Sequence, residues 1–329
     1  MKEVLNRLFE HKPLNKEEAK RVLTGIAKGE SNNSQISAFL TVYLMRSITV
    51  EELEGFREAL LELCLRVDFS AYDTIDLCGT GGDAKNTFNI STLSSFVVAG
   101  AGIKVAKHGN YGVSSVSGSS NVMEFLGYKF TNDKSVLEKQ LGEVGICFMH
   151  APLFHPAMKT VAPIRKELGV KTFFNMLGPL VNPSFPKYQC TGVFSLELAR
   201  LYNYLLQKTN NNFIVLHSLD GYDEISLTGN FKLISKQKEQ IFSPEQLGLN
   251  MLKQEELFGG ETIEDSAKIF LKVLNGNGTK AQNDVVIVNS AMAIHCVKPD
   301  KSIDDCLAEA RESLESKKAL KVFANLIVN

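Results

Sequence analysis

Neither sign of charge is in excess: 36 lysines and arginines stand against 37 aspartates and glutamates, a formal net charge of -1. That balance gives no support to a general polyanion-binding surface, and no nucleic-acid partner is expected. Long apolar runs are also missing. No stretch approaches the roughly 18 apolar residues of a membrane span. The opening "MKEVLNRLFEHKPL" alternates charged and apolar residues where a signal peptide carries an apolar core. No membrane association is expected. Paired cysteines are absent too: Cys64, Cys78, Cys147, Cys190, Cys296 and Cys306 contain no C-x-x-C spacing. They read as reduced, mostly buried thiols of a cytoplasmic protein. Repeats and low-complexity tails are lacking. What remains is 329 residues, 44% of them hydrophobic, enough to bury a sizeable core or two.

Residues 1 to about 68 read as helical. Asn15-Lys16-Glu17-Glu18 and Thr49-Val50-Glu51-Glu52 have the form of capping boxes before apolar patterns of helical period. After Asp73 the texture changes. Short β-prone runs at Thr74–Leu77, Ile103–Lys107, Cys147–His150, Gln189–Phe194 and Phe213–His217 alternate with glycine-rich turns and helical segments. Helices are expected from near Ser91, near Pro156–Leu168 and near Leu196–Lys208. Further helical spacing covers Ile263–Leu274, Gln282–Cys296 and Ile303–Ala324, the last behind Ser302 as a cap. This order predicts an α/β fold class: a small helical domain over residues 1–70, then a large α/β domain over 71–329. The second would carry a mostly parallel central sheet flanked by helices. The boundary is soft, since later helices could join the first domain.

The stretch Asp76-Leu77-Cys78-Gly79-Thr80-Gly81-Gly82-Asp83 puts three glycines within four residues at a strand's end. Glycine is costly in backbone entropy, so the cluster needs a reason. It is either a tight strand-to-helix turn or a place where a ligand lies against bare backbone. Amides of such a turn and of the helix start after it favour anions. Thr87, Asn89, Ser91 and Thr92 add hydroxyl and amide donors. Neither the Walker order nor G-x-G-x-x-G is present. A second loop repeats the theme. Lys107-His108-Gly109-Asn110 closes a strand, and the chain runs through Ser114, Ser115, Ser117, Gly118, Ser119 and Ser120 into another helix. Two such loops at strand carboxyl ends, where open α/β sheets bind ligands, point to a ligand with more than one phosphate. The alternative for the second is a flexible Ser/Gly connection.

A highly charged ligand calls for a divalent cation. Asp223-Glu224 follows the strand Phe213–His217, and on a loop both carboxylates can reach one Mg²⁺. Five other adjacent acidic pairs occur in the chain, so the pair in isolation reads first as solvated surface; its place at a strand's carboxyl end is what shifts that reading.

At these residues the sequence resembles the anthranilate phosphoribosyltransferase family. The matching stretches are Gly79-Thr80-Gly81-Gly82-Asp83, Asn89-Ile90-Ser91-Thr92 and Lys107-His108-Gly109-Asn110. "HPAM" at 155–158, "FNMLGPLVNP" at 174–183 and "DEISLTG" at 223–229 follow in order. The resemblance covers essentially the whole chain, including "VVIVNSAMAIHCV". It implies that anthranilate's amine displaces pyrophosphate from C1 of 5-phosphoribosyl 1-pyrophosphate. It also implies a Mg²⁺ requirement and a homodimer built through the helical domain. By that match Gly79, Gly82, Asp83, Thr87, Asn89, Ile90, Ser91, Thr92, Lys107, His108, Gly109, Asn110, Ser115 and Ser119 hold the phosphoribosyl substrate. Ser91, Asp223 and Glu224 hold the metal. Gly79, Asn110 and Arg165 meet anthranilate, with His108 and His155 nearby. Two departures stand out. The family usually has arginine where this chain has Tyr111, and G-S-A-D where it has Gly118-Ser119-Ser120-Asn121.

The expected chemistry agrees with those roles. Negative charge develops on the leaving diphosphate, which Mg²⁺, Lys107 and loop donors would stabilise. An arylamine is already neutral at pH 7, so no residue is assigned as an essential acid or base. Arg165 suits a carboxylate bidentately, although a surface helix arginine is the plainer reading without the family match. His155 fits a helix-capping or packing role as well as a substrate contact. Segment 175–183 could shape an aromatic pocket or serve structure alone. A pyrimidine nucleoside phosphorylase is the alternative enzyme, and a non-catalytic nucleic-acid-binding relative the alternative of another class.

Overall fold

The computed structural model describes residues 1–112 and 116–328. It divides into two compact units, Met1–Val67 with Ala151–Pro183, and Asp68–His150 with Ser184–Asn329.

The first unit is helical. Helices Lys2–Phe9, Lys16–Ala27, Asn33–Met45 and Val50–Leu63 are followed, from the inserted segment, by Ala151–Phe154, Met158–Leu168 and Phe174–Leu177. The caps Asn15, Asn32 and Thr49 each accept the N3 amide, while Glu18, Gln35 and Glu52 return the bond. Residues 151–183 fall inside the range 71–329 given to the α/β domain, whose soft boundary left room for later helices to join the first, and they pack here. The reason is aromatic: Phe173 stacks on Phe56 at 4.6 Å between ring centroids and meets Phe39 and Tyr43 edge-on. Backbone bonds from Leu65 N to Phe154 O (2.8 Å) and Val67 N to Pro183 O (3.1 Å) fasten the segment at both ends. Glu52 is fully buried at the centre of this unit. Its carboxylate accepts from Leu14 N (3.0 Å), Tyr43 Oη (3.0 Å) and Arg46 Nη1 (2.9 Å).

The second unit is built on a seven-stranded sheet. The strands are β1 Thr74–Gly79, β2 Lys104–Gly109, β3 Ile146–His150, β4 Tyr188–Gly192, β5 Asn212–Ser218, β6 Phe231–Ser235 and β7 Glu239–Phe242. Their order is β3-β2-β1-β4-β5-β6-β7, parallel through β5, with β6 and β7 antiparallel at one edge. The five parallel strands match the β-prone runs; the edge hairpin was not expected. Helix Lys280–Val297 packs on helix Ile90–Gly100 and on β4 and β5. Val285, Val286, Ile287, Val288, Ala291 and Met292 are all fully buried, so its faces are apolar nearly all round.

The single helix expected over Ile303–Ala324 is two, Ile303–Glu315 and Lys318–Val328. Lys317 takes φ 63° and turns the chain, so Ala319 and Phe323 reach the core. Ser313 ties the first of them to helix Ile90–Gly100 by donating to Val97 O at 2.7 Å. Among the described residues no helix is long and apolar enough to cross a membrane.

Candidate active site

Gly79 and Gly192 are register partners at the carboxyl ends of β1 and β4. The loop after β5 lies across both. A Cβ at Gly79 would stand 2.6 Å from Asp223 Oδ2, and one at Gly192 only 1.5 Å from Asp223 O. No side chain fits either place, so the two glycines are what let the acidic loop descend onto the sheet. Beyond Gly79 the chain turns through Gly81 and Gly82, with φ of 64° and 87°, which permits the hairpin-tight exit. Gly81 N donates to Asp223 Oδ2 at 2.6 Å, and Thr80 Oγ1 donates to the same oxygen at 3.4 Å.

Glu224 points to the helix that follows the glycine loop. Helix Ile90–Gly100 has no side-chain cap from Asn89. The backbone N–H and the hydroxyl of Ser91 instead face the Glu224 carboxylate and favour its charged form. The helix start expected to receive a phosphate thus already faces a carboxylate, with the same electrostatic preference at work. Burial raises Asp223's carboxyl well above the usual range, and repulsion from Asp83 and Glu224 adds to it. Glu224 is also pushed up by burial, against the pull of the Lys107 ammonium and the Ser91 bonds. Three carboxylates crowded near one lysine lack positive charge.

Lys107 lies within β2, 1% exposed, and its ammonium donates to the Leu77 carbonyl of β1. Next to it, His108 N donates to Asp76 Oδ1 at 3.1 Å. Asp76 is fully buried and clasps the two strands past their paired residues Thr74↔Lys104 and Ile75↔Val105. The second loop joins the first through Asn89, whose Nδ2 donates to Ser117 O at 2.9 Å. Asn89 Oδ1 and Ser117 Oγ are buried without hydrogen-bond partners among the described residues. Buried polar atoms of this kind suit a polar ligand. Asn110 O accepts from Ser120 N (3.1 Å) and Ser119 Oγ (3.3 Å), which folds the loop back on helix Ser119–Phe125. Ser115 lies outside the described residues.

The departures at the second loop have structural roles. Asn121 Oδ1 accepts from Gly112 N (2.9 Å) and Gly118 N (3.0 Å), a task an amide oxygen performs as well as a carboxylate. Tyr111 sets its ring edge against His150 at 4.7 Å and its hydroxyl 3.3 Å from Glu124.

Gly79, Gly82, Asp83, Thr87, Asn89, Ile90, Ser91, Thr92, Lys107, His108, Gly109, Asn110, Ser119, Asp223 and Glu224 therefore all belong to the second unit, around the carboxyl ends of β1, β2 and β5. Arg165 and His155 belong to the first. Arg165 is half-buried, its guanidinium 5.3 Å from the Phe174 ring centre, and its Nη2 donates to Asn175 Oδ1 at 3.1 Å. Its Nε has no partner among the described residues, and burial lowers its pKa. His155 is 2% exposed, and burial drives its pKa down to about 4 despite bonds with the backbone of Val181 and Leu60.

Gly192, Asp76, Ser218 and Asn289 carried no expectation. Only Gly192 had a sequence signal, a glycine closing a strand in "CTGVF".

Residues 2–64 match a family described as "Glycosyl transferase family, helical bundle domain", and residues 71–320 its "a/b domain". Over 326 residues the chain is 65% identical to the anthranilate phosphoribosyltransferase of Flavobacterium johnsoniae, covering 99% of this chain and 98% of that one. The chain belongs to the anthranilate phosphoribosyltransferase family. It is 56% identical to the enzyme of that name from Bacteroides fragilis, over 99% of each chain. The crystal structure of the Thermus thermophilus anthranilate phosphoribosyltransferase superposes with a TM-score of 0.91 at 31% identity, covering 98% of both chains. The Saccharomyces cerevisiae enzyme, solved in complex with PRPP and Mg, gives 0.90 at 27% identity, covering 98% of this chain and 96% of that one.

Proposed function

We propose that this chain transfers the 5-phosphoribosyl group from 5-phosphoribosyl 1-pyrophosphate to the amine of anthranilate, releasing pyrophosphate, in tryptophan biosynthesis. One observation carries the reading. The glycine loop, the start of helix Ile90–Gly100, Lys107 and the pair Asp223-Glu224 converge at neighbouring strand ends, in a chain 65% identical to an enzyme of this name. Relatives of that name at 54–65% identity favour the transferase over the phosphorylase.

In this reading the C1–oxygen bond to pyrophosphate breaks, the arylamine nitrogen bonds to C1, and one amine proton leaves to solvent. Lys107 and the loop amides meet the charge that grows on the leaving group. Gly79, Gly82, Asp83, Thr87, Asn89, Ile90, Ser91, Thr92, His108, Gly109, Asn110, Ser115 and Ser119 surround the phosphoribosyl moiety. Ser91, Asp223 and Glu224 hold Mg²⁺. The crowded carboxylates fit a cation. Among the described residues no three His, Cys, Asp or Glu side chains form a metal cage of their own. When bound, Mg²⁺ supplies the positive charge that makes pyrophosphate a better leaving group. Arg165, a half-buried cation with no carboxylate partner among the described residues, receives the carboxylate of anthranilate. Gly79, Asn110, His108 and His155 are the other residues this reading assigns to anthranilate.

Fluorescence of anthranilate follows the reaction. The purified protein consumes it only with both phosphoribosyl pyrophosphate and Mg²⁺ present, and Asp223→Asn with Glu224→Gln abolishes consumption. Undiminished turnover in that double variant contradicts the metal assignment.

We also place the protein in the cytoplasm as a homodimer. An apolar groove of about 400 Å³ on the helical unit supports a self-association face, lined by Leu8, Phe9, Ala38, Val42 and Met45. Phe9 and Met45 are 57% and 82% exposed beside it.

A further inference from the structure

Asn289 lies in the middle of helix Lys280–Val297 and is 4% exposed, on a helix whose other buried residues are apolar except Asp284 and Ser290. An amide there costs desolvation unless its bonds are made, and an apolar side chain would pack as well. Two of its three bonds lead to one residue of the acidic loop. Oδ1 accepts from Ile225 N at 3.0 Å, and Nδ2 donates to Ile225 O at 2.9 Å and to Val285 O at 2.8 Å. A carboxamide bonded to both the N–H and the C=O of one residue replaces a neighbouring strand for a stretch of chain that has none.

Ile225 directly follows Asp223-Glu224. From the other side Ser218, the last residue of β5, donates to Glu224 O at 2.7 Å and accepts from Ser226 N at 3.2 Å. The peptide that carries the acidic pair is therefore gripped from a helix 64 residues away and from the strand before it. This grip holds the peptide where the carboxylates of Asp83, Asp223 and Glu224 crowd one another.

We propose that Asn289 and Ser218 are positioning residues for the acidic pair, setting its affinity for magnesium-loaded phosphoribosyl pyrophosphate without touching it. The inference rests on the metal role given above to Asp223 and Glu224.

The test uses the full chain, with calorimetric titration of phosphoribosyl pyrophosphate at fixed Mg²⁺ and no anthranilate. Hydrogen exchange at the Ile225 amide and Tm are measured beside it. Asn289→Ala is expected to weaken binding about tenfold, the effect of one lost buried hydrogen bond pair, and to speed Ile225 exchange. In the Asp223→Asn/Glu224→Gln background the same change should add little, because the two act through one element. A lowered Tm with unchanged affinity and exchange overturns the proposal and leaves Asn289 a packing residue. If Asn289→Ala does not fold, Ser218→Ala is read by the same three measurements. Wild-type protein that binds no phosphoribosyl pyrophosphate at all would remove the proposed function itself, a result distinct from equal binding by wild type and variants.

Discussion

Arg165 shows what a single residue contributes and what its surroundings decide. A guanidinium that is half-buried, bonded to a neutral amide and facing no carboxylate among the described residues has unspent capacity for an anion. Arg165→Ala is expected to raise KM for anthranilate about tenfold or more, since a charge-assisted pair contributes about 1.5–3 kcal/mol. KM for phosphoribosyl pyrophosphate should stay within about twofold by the same argument. Steady-state kinetics with each substrate varied decides it, and a selective loss of phosphoribosyl affinity contradicts the role. At this scale the sequence was most readable where chemistry and local geometry coincide. Gly79, Lys107, Asp223 and Glu224 are unusual residues at strand ends, and the structure brings them together. Asn289, Asp76 and Gly192 act through partners far along the chain, and nothing beside them in sequence names those partners.

Among elements, local signals were the legible ones. Capping boxes placed helix starts at Asn15 and Thr49, and the five parallel strands lie within a few residues of their β-prone runs. The edge hairpin β6–β7 was not legible because β7 alternates weakly, with Glu239, Gln240 and Ile241 all exposed. Nor did any pattern in 151–183 announce which core its helices join; the Phe173–Phe56 stack decides that. The buried polar groups of the helical unit give it a predicted acid sensitivity. His155 is neutral when folded, with its pKa lowered from 6.5 to about 4 by burial. Above pH 6.5 both states are neutral and nothing is lost. Between the two values the unfolded chain binds the proton first, so stability falls as pH falls, by about 3 kcal/mol in full below pH 4. Burial opposes ionisation of Glu52, but Arg46 and the amides of Thr49 and Leu14 outweigh it and hold the carboxyl below its usual value. Its contribution is present above pH 4.5 and is lost as pH drops through the folded value. Urea denaturation followed at steps from pH 7 to 4 should show a falling midpoint beginning near pH 6.5, and His155→Gln should flatten that first part. A flat profile from pH 6.5 to 5 in wild type contradicts the burial argument.

For the molecule as a whole, composition argued against nucleic-acid and membrane roles, and the order of motifs pointed to the family that the comparisons establish. The proposed homodimer belongs to this scale. Met45→Glu sets a charge beside the apolar groove and should shift the protein from dimer to monomer mass in light scattering after size exclusion, while wild type stays dimeric. A monomeric wild type contradicts it. The most direct test of the account is a crystal structure with phosphoribosyl pyrophosphate and Mg²⁺ bound. The diphosphate is predicted against the backbone of Gly79–Asp83 and the start of helix Ile90–Gly100, with the cation at Ser91, Asp223 and Glu224. A sugar diphosphate seated away from both glycine-bearing loops, or a cation that ignores the acidic pair, would contradict it.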